Sequence, residues 1–223
     1  SIFRGDIDSL STEEKNAYNN LPNSTYNFKD FKKAVIIRLQ NAFGKENITE
    51  GNKAIKIKPS LSRRSVDVVV AHEHRRYHSW PHGYTSGIVF STQSGDEIIN
   101  FPKKHSENCT TKHQGTNSNF KPMVRIFKNI RSKLVDDGKI AKDIAPSYFI
   151  EGLLHNVPEN LFTGTYENMA VNILNWFHNM SDRTNLVCAN GQYYLLRDVS
   201  SVCWPPANAE KFISEAINLW NNW

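Results

Sequence analysis

The apolar residues of this chain change their period partway along, and that change leaves few folds open to it. In the first half they alternate with polar residues or run in short β-branched blocks; in the second they return every three or four positions. Ala54, Ile55 and Ile57 are interleaved with Lys53, Lys56 and Lys58, and Ser65 to Ala71 reads Ser-Val-Asp-Val-Val-Val-Ala, a strand expected to be buried on both faces. Gly87 to Thr92 and Glu97 to Phe101 flank Ser94-Gly95-Asp96, which predicts a hairpin. Two helices are expected before these strands. One starts at a capping box, Ser11-Thr12-Glu13-Glu14, and ends near Asn20; the other carries Phe28, Phe31, Val35, Leu39 and Phe43 and is closed by Gly44. Pro102 to Asn119 is polar and without period, and reads as loop. Beyond it Met123, Phe127, Ile130 and Leu134 mark a helix over about 121–135, Pro146 opens another through Leu154, and Tyr166 to Met180 and Ala207 to Trp223 make two more. The expectation is an α+β chain, with a mixed sheet and helices over 1–110 and a helical domain over 111–223.

Composition narrows the setting. At 223 residues, 39% hydrophobic and 22% charged, the chain is large enough for one domain or two small ones and too apolar for disorder. It has no run of about 18 apolar residues that could span a membrane. Ser1 to Asp6 has neither the basic nor the apolar segment of a secretory leader. Cys109, Cys188 and Cys203 are odd in number and lack CxxC spacing, so a reducing compartment, the cytoplasm, is expected. The net charge of +5 admits anionic partners such as nucleotides or nucleic acid.

Several residues stand out chemically. Asp67 lies among valines, where an ionised carboxylate is costly unless it is paired or binds a cation. Arg125, Lys128 and Arg131 share a helix face opposite the apolar stripe, which reads equally as a solvated basic surface. Ser147 and Tyr148 fall at a helix start, where backbone amides favour a phosphate and a tyrosine can stack on a base; a capping serine beside a core tyrosine is the plainer alternative. His72, His74, His78 and His82 read as a solvated tract. His105, Cys109 and His113 lie in the segment read as loop, and no zinc site is expected from either group. Trp176, Trp204, Trp220 and Trp223 are expected in the helical core.

Taken in order, these pieces resemble the cGAS/DncV-like nucleotidyltransferases. The resemblance rests on Tyr26-Asn27-Phe28-Lys29-Asp30-Phe31, Gly51 to Ile57, Val66-Asp67-Val68-Val69, Ile98-Ile99-Asn100-Phe101-Pro102, Lys121 to Asn129 and Pro146-Ser147-Tyr148-Phe149-Ile150-Glu151. It covers nearly the whole chain from about residue 10 onward. It implies a polymerase-β-like nucleotidyltransferase core followed by a helical domain, with the active site in the cleft between them. It also implies two-metal nucleotidyl transfer on two Mg²⁺ ions, with Mn²⁺ as the alternative ion. Asp67 matches the family's third metal-binding carboxylate, Lys128 the lysine that holds the triphosphate, Ser147 the serine beside it, and Tyr148 the aromatic that stacks on the base. The implied activity is synthesis of cyclic di- or trinucleotide second messengers from ATP, GTP or pyrimidine nucleoside triphosphates, in the anti-phage signalling known as CBASS.

The chain departs from the family pattern at its start. Neither the family's Gly-Ser turn nor its strand with Asp-x-Asp or Glu-x-Asp precedes Asp67. Asp6-Ile7-Asp8 has the right letters, but Ser9-Leu10 runs straight into the capping box. Ser1 to Leu10 is therefore expected to follow the Asp-x-Asp strand, making the chain an N-terminally incomplete enzyme of low activity. Asp6 and Asp8 as the metal pair are the alternative. A catalytically incomplete binding member of the fold and a linear, oligoadenylate-like synthase also remain open, as do product identity and any regulatory protein or nucleic-acid activator.

Overall fold

A computed structural model describes residues 3–198 and 202–222; Trp223 lies outside them. The chain forms two compact units, Ser1–Asn100 and Phe101–Trp223. The division falls ahead of the expected 110/111 boundary because the segment after Asn100 is helical and packs with the second unit.

The first unit opens with β1 (Phe3–Asp6), followed by α1 (Thr12–Asn19) and α2 (Phe28–Phe43). The capping box forms as expected: the Glu14 amide donates to the Ser11 hydroxyl at 3.3 Å and the Ser11 amide to Glu14 at 2.9 Å. Asn27 caps α2, and Gly44 closes it at φ +87°, a conformation that glycine adopts without strain. Then come β2 (Ile48–Glu50), β3 (Ile55–Ile57) and β4 (Val66–Val68), which make a three-stranded antiparallel sheet in that order. The remaining strands, β5 (His72–Ser79), β6 (Gly83–Ser91) and β7 (Glu97–Asn100), join β1 in a sheet of order β1-β5-β6-β7. Its β1–β5 pair is parallel and the others antiparallel.

Two expectations for this unit are corrected. The strand around Asp67 is three residues long and not buried: Asp67 is exposed, as are Val66 and Val69 at 41% and 46%. A β-branched run specifies extended backbone, but burial needs a covering layer, and β4 is the edge of its small sheet with β3 its one described neighbour. Conversely, the tract from His72 that reads as solvated is an eight-residue strand at the centre of the larger sheet. Its arginines hide the pattern because their tips are paired with carboxylates. Arg75 lies over the rings of Phe3 and Tyr84 at 4.0 and 4.6 Å and pairs with Glu73 at 2.9 Å, while His74 and Tyr77 are buried.

The second unit is helical: α3 (Pro102–Gly115), α4 (Phe120–Asp136), α5 (Ser147–His155), α6 (Tyr166–Asn179) and α7 (Pro206–Asn221). One buried stripe of α4 (Phe120, Met123, Val124, Phe127, Ile130, Leu134) meets Phe149, Phe177 and Phe212 in a single apolar core. Trp176, Trp204 and Trp220 pack partly buried against it, as expected. The segment expected to be loop is α3, a fourteen-residue helix. Its inward face is His105, Cys109 and Lys112, at helical spacing but mostly polar, so apolar periodicity misses it. Among the described residues no helix is long and apolar enough to cross a membrane.

Candidate functional site

The residues singled out from sequence fall in both units. In the first, Asp67 is the middle residue of β4, opposite Lys56 of β3, and therefore on the same sheet face as that lysine. Asp6 ends β1 and accepts a hydrogen bond from Arg76 Nε at 3.0 Å; the amide of exposed Asp8 donates to the same carboxylate at 3.3 Å. Asp6, Asp8 and Asp67 do not come together as a metal cluster among the described residues.

In the second unit, α3, α4 and α5 bring the other candidates together. The buried stripe of α4 leaves Arg125 exposed and Lys128 half-buried on its far side. Helix α5 begins at Ser147, directly after Pro146. No side chain caps it, and its first intrahelical hydrogen bond runs from the Ile150 amide to the Pro146 carbonyl at 3.1 Å. Its first-turn amides are thus donors suited to an anion. Phe149, Ile150, Leu153 and Leu154 anchor the helix in the core, which turns Ser147, Tyr148 and Glu151 to the other side.

Glu151 is the hub of this side. Its Oε1 accepts from Lys128 Nζ at 2.6 Å and its Oε2 from His105 Nε2 at 2.7 Å. The His105 hydrogen bond, and after it the Lys128 ammonium, hold the Glu151 carboxyl down at about 2 against the burial that opposes ionisation. An ionised carboxylate only accepts, so His105 carries its proton on Nε2. The imidazole also stacks on Tyr148, with centroids 4.1 Å apart and 20° between planes, and Trp204 lies nearly parallel to Tyr148 at 6.1 Å.

Glu151 is not a candidate from sequence, and His105 is weighed there only as a zinc ligand with Cys109 and His113 and set aside. Glu151 lies one turn from Ser147 inside the Pro146–Glu151 motif and could have been flagged by that spacing; the pairing of His105 with Glu151 and Tyr148 could not, because its segment carried no helical signal. With Cys109, His105 and Glu151 form the one group of three metal-ligating side chains found among the described residues. The group is poorly suited to a cation. Lys128 already places an ammonium on Glu151, and burial, followed by the Glu151 charge, pushes the Cys109 thiol up to about 11.

A mixed sheet with helices is followed by a helical unit that gathers a lysine, a serine and a tyrosine around an uncapped helix start. Comparison with known proteins places the chain more narrowly. The profile of the cGAS/DncV-like nucleotidyltransferase C-terminal helical domain matches residues 107–221. A cyclic nucleotide synthase, CdnE01, from Staphylococcus haemolyticus is 39% identical over 232 residues, covering 100% of this chain and 76% of the relative. The solved structure of the Rhodothermus marinus CdnE c-UMP-AMP synthase with Apcpp and Upnpp superposes with a TM-score of 0.89 at 32% identity, covering 100% of this chain and 74% of that one. The Elizabethkingia meningoseptica CdnE cyclic dinucleotide synthase, solved with GTP and Apcpp, gives 0.78 at 30% identity, covering 88% of this chain and 72% of its own. The chain belongs to the cGAS/DncV-like nucleotidyltransferases.

Proposed function

We propose that this protein joins nucleoside triphosphates into a cyclic di- or trinucleotide second messenger used in anti-phage signalling in the cytoplasm. The observation that carries the reading is the cluster on α4 and α5: Lys128 held at 2.6 Å from Glu151, beside an uncapped helix start that carries Ser147 and Tyr148. In the reaction a ribose hydroxyl of one nucleotide attacks the α-phosphorus of another, and pyrophosphate leaves. Lys128 and the first-turn amides of α5 offer positive charge and donors to the triphosphate, and the Ser147 hydroxyl adds a further hydrogen bond. Tyr148 offers an aromatic ring on which a base stacks.

Mg²⁺, when bound, supplies neutralisation of the phosphate charge. Asp67 suits it in kind, since it is an exposed carboxylate oxygen donor of the type Mg²⁺ prefers. Asp67 belongs to no group of three metal-ligating side chains among the described residues. That same observation favours a second reading, a member of the fold that binds nucleotides without turning them over.

The two readings separate in one experiment. The protein, Asp67→Ala and Lys128→Ala are each incubated with four labelled ribonucleoside triphosphates and Mg²⁺, and phosphatase-resistant product is counted. Synthesis predicts product from the wild type, loss of at least about a hundredfold in Asp67→Ala, and a raised KM for nucleotide in Lys128→Ala. Binding without product supports the second reading, and full turnover in Asp67→Ala removes Asp67 from the site.

A further inference from the structure

We infer that His105 is a positioning residue of the nucleotide pocket, one imidazole that sets both the phosphate-facing lysine and the base-facing tyrosine. The inference rests on the reading of Lys128 and Tyr148 proposed above and adds a residue from a third helix, α3, to which the family resemblance gave no role.

The ring is used twice. Its edge donates from Nε2 to Glu151 Oε2 at 2.7 Å, and its face lies 4.1 Å from the Tyr148 ring at 20°. A glutamate bonded through one oxygen still turns about its terminal torsion, which is broad, whereas a glutamate bonded through both oxygens does not. His105 is the second bond. It therefore fixes the oxygen that holds Lys128 Nζ at 2.6 Å and keeps a long, flexible lysine aimed in one direction. The same ring backs Tyr148, so that a base stacking on the tyrosine meets a supported surface.

His105 is suited to this by its placement. It is 7% exposed and fixed in the inward face of α3, where Cys109 and Lys112 follow at helical spacing; the Lys112 ammonium donates to the Val157 carbonyl at 2.6 Å. Its Nδ1 is buried with no hydrogen-bond partner. A core phenylalanine would fill this place without that cost, so the imidazole is explained by the edge and face contacts it makes and not by filling space.

Two substitutions divide the two contacts. His105→Phe keeps the ring face and removes the Nε2 donor; His105→Gln keeps a donor near the Nε2 position and removes the ring. Binding is measured by calorimetry for whichever of the four ribonucleoside triphosphates the wild type binds most tightly, and for its nucleoside, with thermal unfolding confirming that each variant is folded. His105→Phe is expected to weaken the triphosphate about tenfold while leaving the nucleoside unchanged. His105→Gln is expected to weaken nucleoside and triphosphate by the same factor, about three- to tenfold, preserving their ratio. A merely structural histidine would not divide the ligands in this way. Wild-type affinities in both variants, or equal losses for both ligands in His105→Phe, overturn the inference. Lys128→Ala, measured alongside, keeps its failure distinct from that of the pocket itself. Undiminished triphosphate binding in Lys128→Ala, or no triphosphate bound by the wild type, removes the pocket and the inference together. Weakened binding in Lys128→Ala with none in His105→Phe removes the inference alone.

Discussion

Glu151 takes a hydrogen bond on each oxygen from a different helix, and this arrangement determines how it titrates. Its carboxyl is lowered from an ordinary 4.5 to about 2, first by the His105 hydrogen bond and then by Lys128. A group whose pKa is depressed in the folded state contributes stability that is complete above its unfolded value and is lost as pH falls through its folded value. The Glu151 contribution is thus intact above 4.5 and disappears between there and about 2. Glu151→Gln should cost about 2 kcal/mol near neutral pH, and its Tm deficit against the wild type should shrink as pH falls through that window. A deficit that stays constant across the window would show that the ionised form is not what the two donors hold. At this scale motifs in the sequence single out Lys128, Ser147 and Tyr148, and the structure gathers these three residues where α4 meets the start of α5. The sequence raises His105 only as a zinc ligand that is set aside, because the residue's partners come from helices distant in the chain.

At the scale of elements, α3 and α4 show what periodicity can and cannot reveal. The buried side of α4 is wholly apolar, so its spacing announces it. The buried side of α3 is His105, Cys109 and Lys112, and only tertiary contacts show that these polar groups point inward. A buried hydroxyl bridges the two helices: Thr116 Oγ1 donates to the Lys112 carbonyl at 2.8 Å and accepts from the Phe120 amide at 3.0 Å. Thr116→Val keeps the volume and leaves the buried Phe120 amide without its acceptor, while the Lys112 carbonyl keeps the Thr116 amide at 3.0 Å, so it should destabilise by about 1–3 kcal/mol, seen as a lower urea midpoint at unchanged m-value. Thr116→Ser should recover most of the loss. An unshifted midpoint in the valine variant would show that the hydroxyl does not join the helices. The strands carry the same lesson in reverse. β5 was missed because its arginine tips are paired outside the alternation, and β4 was overread because its valines record extended backbone and not what covers it.

For the whole molecule, the change of hydrophobic period was enough to separate a sheet-bearing unit from a helical one. The family profile over residues 107–221 lies entirely in the helical unit. What the period could not place was the boundary itself, because α3 belongs with the helices and does not look like one. The central claim is that a nucleoside triphosphate is held where α4 meets the start of α5. Hydrogen exchange with and without the triphosphate tests this claim most directly, since first-turn amides of α5 that donate to a phosphate exchange more slowly. The account predicts slowed exchange in peptides covering Ser147–His155 and Phe120–Asp136, stronger with the triphosphate than with its nucleoside and lost in Lys128→Ala. Protection confined to other segments, with these two exchanging as in the free protein, would contradict it.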